Sequence, residues 1–161
     1  MVSPNVLGLG VQKGFTLVEL LVVMAILGIV AATSVPWLIS YWQSATLRAA
    51  AEELAAGLNR GRQLAIVQGQ RVCVEVVGNR YRYRLSPAGG NACAGTPWTG
   101  PGSDLTGFFG LANNIGLTTN ANPVFDYLGA ANPGATLTVT NPQGGSTRNV
   151  AVSVSGRVQI Q

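Results

Sequence analysis

The side chain with the most chemistry to explain is Glu19, the only charged residue in the eighteen-residue run FTLVELLVVMAILGIVAA from Phe15 to Ala32. A carboxylate carried into a bilayer on a helix costs about 2.5–3.5 kcal/mol, so an acid kept there needs a partner or a purpose. The two cysteines, Cys73 and Cys93, are too few for a thiolate zinc site, and the chain has no His to complete a ligand set or to activate a nucleophile. In an oxidising compartment they would close a loop of about 20 residues, worth roughly 3 kcal/mol; in a reducing one they would be two buried thiols. Arg80, Arg82 and Arg84 alternate along one stretch, and Arg148 and Arg157 follow later. Such arginines can contact phosphates without reading sequence, or they can be the wet face of a sheet with a weak pair to Glu75. The remaining acids, Glu52, Glu53, Glu75, Asp104 and Asp126, form no motif that joins two of them into a site. An enzyme reading therefore has no constellation to stand on, and neither a cofactor nor a metal is expected.

The elements that hold these residues follow from patterning. The 161 residues give room for one domain of roughly 120 residues and a membrane segment. Charged residues are only 10% of the chain, against roughly one quarter in soluble domains. The net charge of +4 is local: residues 48–84 carry seven Arg against three acids, and residues 85–161 two against two. A charge of this size favours a solvated basic face over a dedicated nucleic-acid surface. Residues 1–14 (MVSPNVLGLGVQKG) have the composition of a leader, and Gly8 and Gly10 are not set in a phosphate loop. Residues 15–42 are long and apolar enough to span a bilayer, with Trp37, Tyr41 and Trp42 at the position of an interfacial belt. Lys13 before the run, and no further cation until Arg48, orient the N-terminus to the cytoplasm. Gly28 and Pro36 are the expected points of bending in that helix.

From Ser44 to Gln68, Leu47, Ala51, Leu54, Leu58, Gly61 and Ala65 recur at steps of three and four, which predicts an amphipathic helix ending at Gly69. The period then changes to two. Arg71–Val77 and Arg80–Leu85 flank Gly78-Asn79, a two-residue hairpin signal that sets Val76 opposite Tyr81, Val74 opposite Tyr83, and Glu75 opposite Arg82. Residues 86–122 read as a long excursion with little regular structure. Further strands are predicted at Val124–Leu128, Thr136–Thr140, Asn149–Ser153 and Arg157–Ile160. The expected fold is α+β: a long N-terminal helix, transmembrane in its first half, packed by its second half on an antiparallel sheet. Its divisions are a leader (1–14), a transmembrane helix (15–42) and a body (43–161).

The stretch Lys13-Gly14-Phe15-Thr16-Leu17-Val18-Glu19, followed by the apolar run, resembles the leader junction of type IV pilins and type II secretion pseudopilins. That resemblance implies cutting after Gly14 by a prepilin peptidase, N-methylation of Phe15, and retention of the apolar segment as the assembly helix. It implies other pilin or pseudopilin subunits and an inner-membrane assembly platform as partners, with no small-molecule substrate. It places the chain in the inner membrane before assembly and in the periplasm or a cell-surface filament afterwards. The amine freed on Phe15 would pair with Glu19 of a neighbouring subunit and so fix the register of the array. The runs Leu58–Ala65, Gly69–Val74, Arg148–Ser153 and Gly156–Val158 look like the pseudopilin H and FimT group of minor pilins. Some FimT-like pilins bind DNA through a Gly-Arg-x-Arg element. Here the second arginine is replaced by Gln159, which leaves Arg157 and Arg148 as the candidate DNA contacts. Two other readings of the N-terminus compete, a secretory signal removed after Ala32 and a plain signal anchor.

Overall fold

The computed structural model describes residues 14–87 and 92–161. Among these, one helix, α1, runs from Leu17 to Gln68, followed by nine short strands. The chain divides into two compact units between Ile39 and Ser40, a few residues before the boundary expected at 42/43. In the first unit the apolar side chains of α1 whose burial is described are all exposed, and the helix continues past Gly28 and Pro36, although Pro36 has no N–H to donate to the turn before it.

In the second unit the predicted stripe is the buried one: Leu47, Ala51, Leu54, Leu58, Gly61 and Ala65 are all withdrawn from water. Two glycines, Gly57 and Gly61, set how closely the helix approaches the strands. A Cβ at Gly57 would lie 2.8 Å from Tyr81 Cζ, and one at Gly61 would lie 3.0 Å from Val74 Cγ2. Tyr83 donates from its hydroxyl to the Gly57 carbonyl at 2.7 Å. Burial, together with its neighbour Tyr81, pushes the Tyr83 phenol far above its usual range, so the donor proton is never lost.

The hairpin of β1 (Arg71–Val77) and β2 (Arg80–Ser86) forms in the expected register, Val76 to Tyr81, Val74 to Tyr83, Val72 to Leu85 and Glu75 to Arg82. Gly78 takes the positive φ of 59° that the tight turn requires. The excursion is more regular than its composition suggests. Its β3 (Thr96–Pro97) and β4 (Phe108–Gly110) both pair with the outer edge of β2, and β5 (Gly116–Thr119) opens a second sheet. Trp98 and Phe109 pack with Tyr81 and Tyr83 as a ring cluster, Tyr83 and Phe109 having centroids 5.2 Å apart. The apolar rings therefore organise a segment that lacks a period of its own.

β6 (Val124–Phe125) completes the first sheet beside β1. The second sheet has the order β5, β7 (Ala135–Thr140), β8 (Thr147–Val152), β9 (Val158–Ile160), antiparallel throughout. Leu137, Val139, Val150 and Val152 point into the core shared with α1, and the hydroxyl and amide residues between them face water.

Candidate functional site

The junction at the N-terminus is built by one local interaction. Leu17 is the first helical residue, and the Thr16 hydroxyl accepts a hydrogen bond from the Glu19 backbone N–H at 3.3 Å. Thr16 is thus the N-cap, and Thr16-Leu17-Val18-Glu19 has the form of a capping box, Ser/Thr followed three residues later by an acid. The helix consequently starts at Leu17, with Phe15 and Thr16 between it and the expected scissile bond. Gly14 and Phe15 precede it outside any helix or strand and are exposed, and a Cβ on Gly14 would meet nothing within 4 Å. Both are reachable by an enzyme. The cap was a signal in the sequence that the hydrophobic patterning alone does not reveal. Lys13 and the other residues before Gly14 lie outside the described residues.

Glu19 sits in the first turn of α1, where a carboxylate also complements the helix dipole. Around it Phe15, Leu17, Val18, Leu20 and Leu21 are all more than half exposed. This is an uncovered apolar surface, and α1 is long and apolar enough to cross a membrane.

Cys73 and Cys93 are joined, Cα atoms 5.1 Å apart, which ties the start of the excursion to β1. The arginine stripe differs from the expected wet face. Glu75 Oε2 accepts from both Arg82 Nε and Arg84 Nε at 2.6 Å, and all three side chains are only about one fifth exposed. Arg84 also donates to the Gly95 carbonyl, the Arg82 guanidinium lies 4.5 Å from the Phe108 ring centroid, and Arg80 pairs with Asp104 at 3.1 Å. The returning excursion covers Arg82 and Arg84, while Arg80 stays exposed and paired to Asp104 at the surface. Burial acts to raise the Glu75 carboxyl, but the hydrogen bonds and charges of Arg82 and Arg84 outweigh it and hold the group below its usual range.

Arg148 and Arg157 are both exposed, and they are not brought together. Arg148 lines a cleft with Arg48 and Glu52 of α1. Arg157 follows Gly156, whose Cα side faces Arg62. From Arg48 to Arg62 the helix advances by about 20 Å at 1.5 Å per residue. Among the described residues there is no cluster of metal-binding side chains.

Comparison with known proteins agrees with this geometry. A family model described as the prokaryotic N-terminal methylation motif matches residues 10–35, and the model described as type II transport protein GspH matches residues 50–156. The chain belongs to the GspH family. It carries both marks of a pilin-like subunit, the N-terminal methylation motif and the GspH body. The chain resembles a fimbrial protein of Pseudomonas aeruginosa, 39% identical over 61 residues, and the alignment spans 38% of this chain and 39% of that relative. Its fold is shared with solved structures. E. coli GspH gives a TM-score of 0.56 at 16% identity, covering 73% of this chain and 88% of that one. The minor pseudopilin EpsH of Vibrio cholerae gives 0.52 at 16% identity, covering 71% and 95%. The type IV minor pilin FimU of Pseudomonas aeruginosa gives 0.50 at 21%, covering 71% and 87%. All three establish the α+β pilin-like architecture.

Proposed function

We propose that the chain is made as a membrane-inserted precursor, cut after Gly14, N-methylated on Phe15, and carried by α1 into a pilus-like filament or pseudopilus. The observation that carries this reading is the junction itself. A methylation-motif match over residues 10–35 coincides with a helix that begins at Leu17 under its own cap and leaves Gly14 and Phe15 exposed. Residues 1–14 are the leader, 15–42 the transmembrane and assembly helix with Gly28 and Pro36 as its bending points, and 43–161 the body outside the inner membrane. A prepilin peptidase and an inner-membrane assembly platform are the partners that act on the precursor.

Glu19 supplies register in this scheme. A subunit entering the array buries the carboxylate in an apolar bundle, which is tolerable only when the Phe15 amine of its neighbour is at the same level. The apolar residues around it provide contact area without preference for one stagger over another. Glu19→Ala is therefore expected to leave membrane insertion and leader cleavage intact while filament entry falls at least ten-fold. Mass spectrometry of the native N-terminus should give a chain beginning at methylated Phe15. A mature chain beginning at Thr33, or still at Met1, overturns the scheme.

The name of the matching family model favours a type II secretion pseudopilus, and the fimbrial relative favours a pilus. The assembly chemistry is the same in both. A role in DNA uptake draws little support, because Arg148 and Arg157 stand about 20 Å apart along α1 and the Arg80, Arg82 and Arg84 stripe is occupied by Glu75 and Asp104.

A further inference from the structure

Arg48 is the first cation after Lys13, and the fold gives it a companion from far along the chain. Tyr41, Ser44, Arg48 and Glu52 of α1 line a cleft of about 400 Å³ that Arg148 of β8 lines as well. The turn between β7 and β8 places Arg148 there. Within it Asn141 N–H donates to the Ser146 carbonyl and Gly145 N–H to the Asn141 carbonyl, both at 2.9 Å, and Gln143 N–H donates to Asn141 Oδ1 at 3.0 Å. The turn rests on the start of the body helix: Asn141 Nδ2 donates to the Gln43 carbonyl at 3.5 Å, and a Cβ on Gly144 would lie 2.9 Å from Gln43 Oε1. Arg148 is therefore held beside the turns of α1 just beyond Gln43 by the backbone of β8 and its turn, without an ion pair among the described residues.

The charge of this cleft is unbalanced. Arg48 donates to Glu52 Oε1 through Nε alone, at 2.9 Å, and the two side chains are 69% and 55% exposed. Such a surface pair is weak, and it leaves the terminal nitrogens of the Arg48 guanidinium to other acceptors. Glu53, the next acid on α1, does not line the cleft, and its charge acts on Tyr81 of the first sheet. Two guanidinium groups thus stand against one carboxylate. The ligand that balances them carries one negative charge spread over oxygens, and the two free oxygens of a phosphodiester match guanidinium forks.

Position decides which phosphodiester. Tyr41 belongs both to the cleft and to the segment 15–42 that is proposed to span the membrane, and α1 runs without a break from Tyr41 to Arg48, about 10 Å further on at 1.5 Å per residue. Helix side chains lean towards the N-terminus, and a long arginine stem reaches further in that direction, so the Arg48 head falls among the headgroups that border the hydrocarbon. Tyr41 and Trp42, both more than half exposed, have the amphipathic rings suited to the same layer. We infer that the cleft holds the headgroup phosphodiester of an anionic glycerophospholipid from the outward-facing leaflet, with Arg48 and Arg148 on its free oxygens. The inference rests on the membrane insertion proposed for this chain and adds a partner to it: one lipid anchors the body beside the membrane and must be released when the subunit is drawn into a filament.

In the test, the full-length chain is reconstituted into phosphatidylcholine nanodiscs doped with phosphatidylglycerol, released into mild detergent and weighed with its retained lipid by native mass spectrometry. The expected spectrum has one phosphatidylglycerol per chain, kept in preference to the more abundant phosphatidylcholine. Arg48→Gln and Arg148→Gln should each lower that retention about five-fold. Both side chains are exposed, so neither change disturbs the core. Arg157→Gln, the same change of charge at another level of the body, should leave retention unchanged. An equal loss from Arg157→Gln, retention without preference for phosphatidylglycerol, or displacement of the lipid by soluble inorganic phosphate overturns the site. An alkaline wash of the membranes separates the two ways of failing. A chain that stays embedded and keeps no phosphatidylglycerol overturns this site alone, and a chain that washes off overturns it together with the proposed membrane insertion.

Discussion

Glu75→Gln isolates the most concentrated electrostatic feature of the body. In the native fold one carboxylate oxygen serves two guanidinium groups at 2.6 Å, and the three side chains are 21%, 17% and 19% exposed. Glutamine keeps the shape and one acceptor oxygen but removes the charge, leaving Arg82 and Arg84 side by side under Phe108 and Gly95. A hydrogen bond to a charged group contributes about 1.5–3 kcal/mol, and breaking a fully buried ion cluster costs about 3–5 kcal/mol. Partial exposure discounts the second figure, so a loss of about 2–3 kcal/mol is expected. For a body of this size that lowers Tm by roughly 6–12 °C. The assay is thermal or urea unfolding of the full-length chain in detergent micelles, followed by near-ultraviolet circular dichroism from the Tyr81, Tyr83, Trp98 and Phe109 cluster.

The pH dependence gives an independent check. The folded Glu75 carboxyl titrates below its unfolded counterpart, so its contribution is complete above the unfolded value of about 4.3–4.5 and disappears as pH falls through the folded one. The stability gap between wild type and Glu75→Gln should be flat from about pH 6 to 8 and narrow on acidification below about pH 4. A gap under about 0.5 kcal/mol at neutral pH, or one that widens on acidification, refutes the idea that this cluster is screened from water.

Two further outcomes follow from the packing. Gly57→Ala sets a helix-propensity gain of about 1 kcal/mol against overlap with the Tyr81 ring, whose Cζ would lie 2.8 Å from the new methyl and which Tyr83 and Phe109 hold in place. Overpacking should win, giving a net loss of about 1–2 kcal/mol in urea unfolding; a stabilised variant would mean that Tyr81 moves freely. Replacing Cys73 and Cys93 together by Ser opens a loop of 20 residues and should cost about 3 kcal/mol, read as a lower urea midpoint, while α1 and the Gly14–Phe15 junction remain processed normally.

What the amino-acid order determined by itself is whatever depends on near neighbours along the chain. A membrane-length apolar run with Glu19 inside it, the buried stripe from Leu47 to Ala65 and the Gly78-Asn79 hairpin register all follow from spacings of one to four residues. These are periods that helices and strands impose on any sequence. The strand pattern of β7 and β8 was legible for the same reason.

The tertiary structure decided what depends on distant partners. The segment after Ser86 has no period, and its order comes from Trp98 and Phe109 finding Tyr81 and Tyr83, and from β3 and β4 finding the free edge of β2. The hairpin register brings Glu75 to Arg82 and Arg84, but those two arginines lose contact with water only because that segment returns over them with Gly95 and Phe108. Arg148 and Arg157, nine residues apart in the chain, are separated because β8 and the turn before β9 direct them to different levels along α1, one beside Arg48 and the other near Arg62. Burial and charge pairing are properties of the assembled surface, and no local spacing encodes which loop will cover which strand.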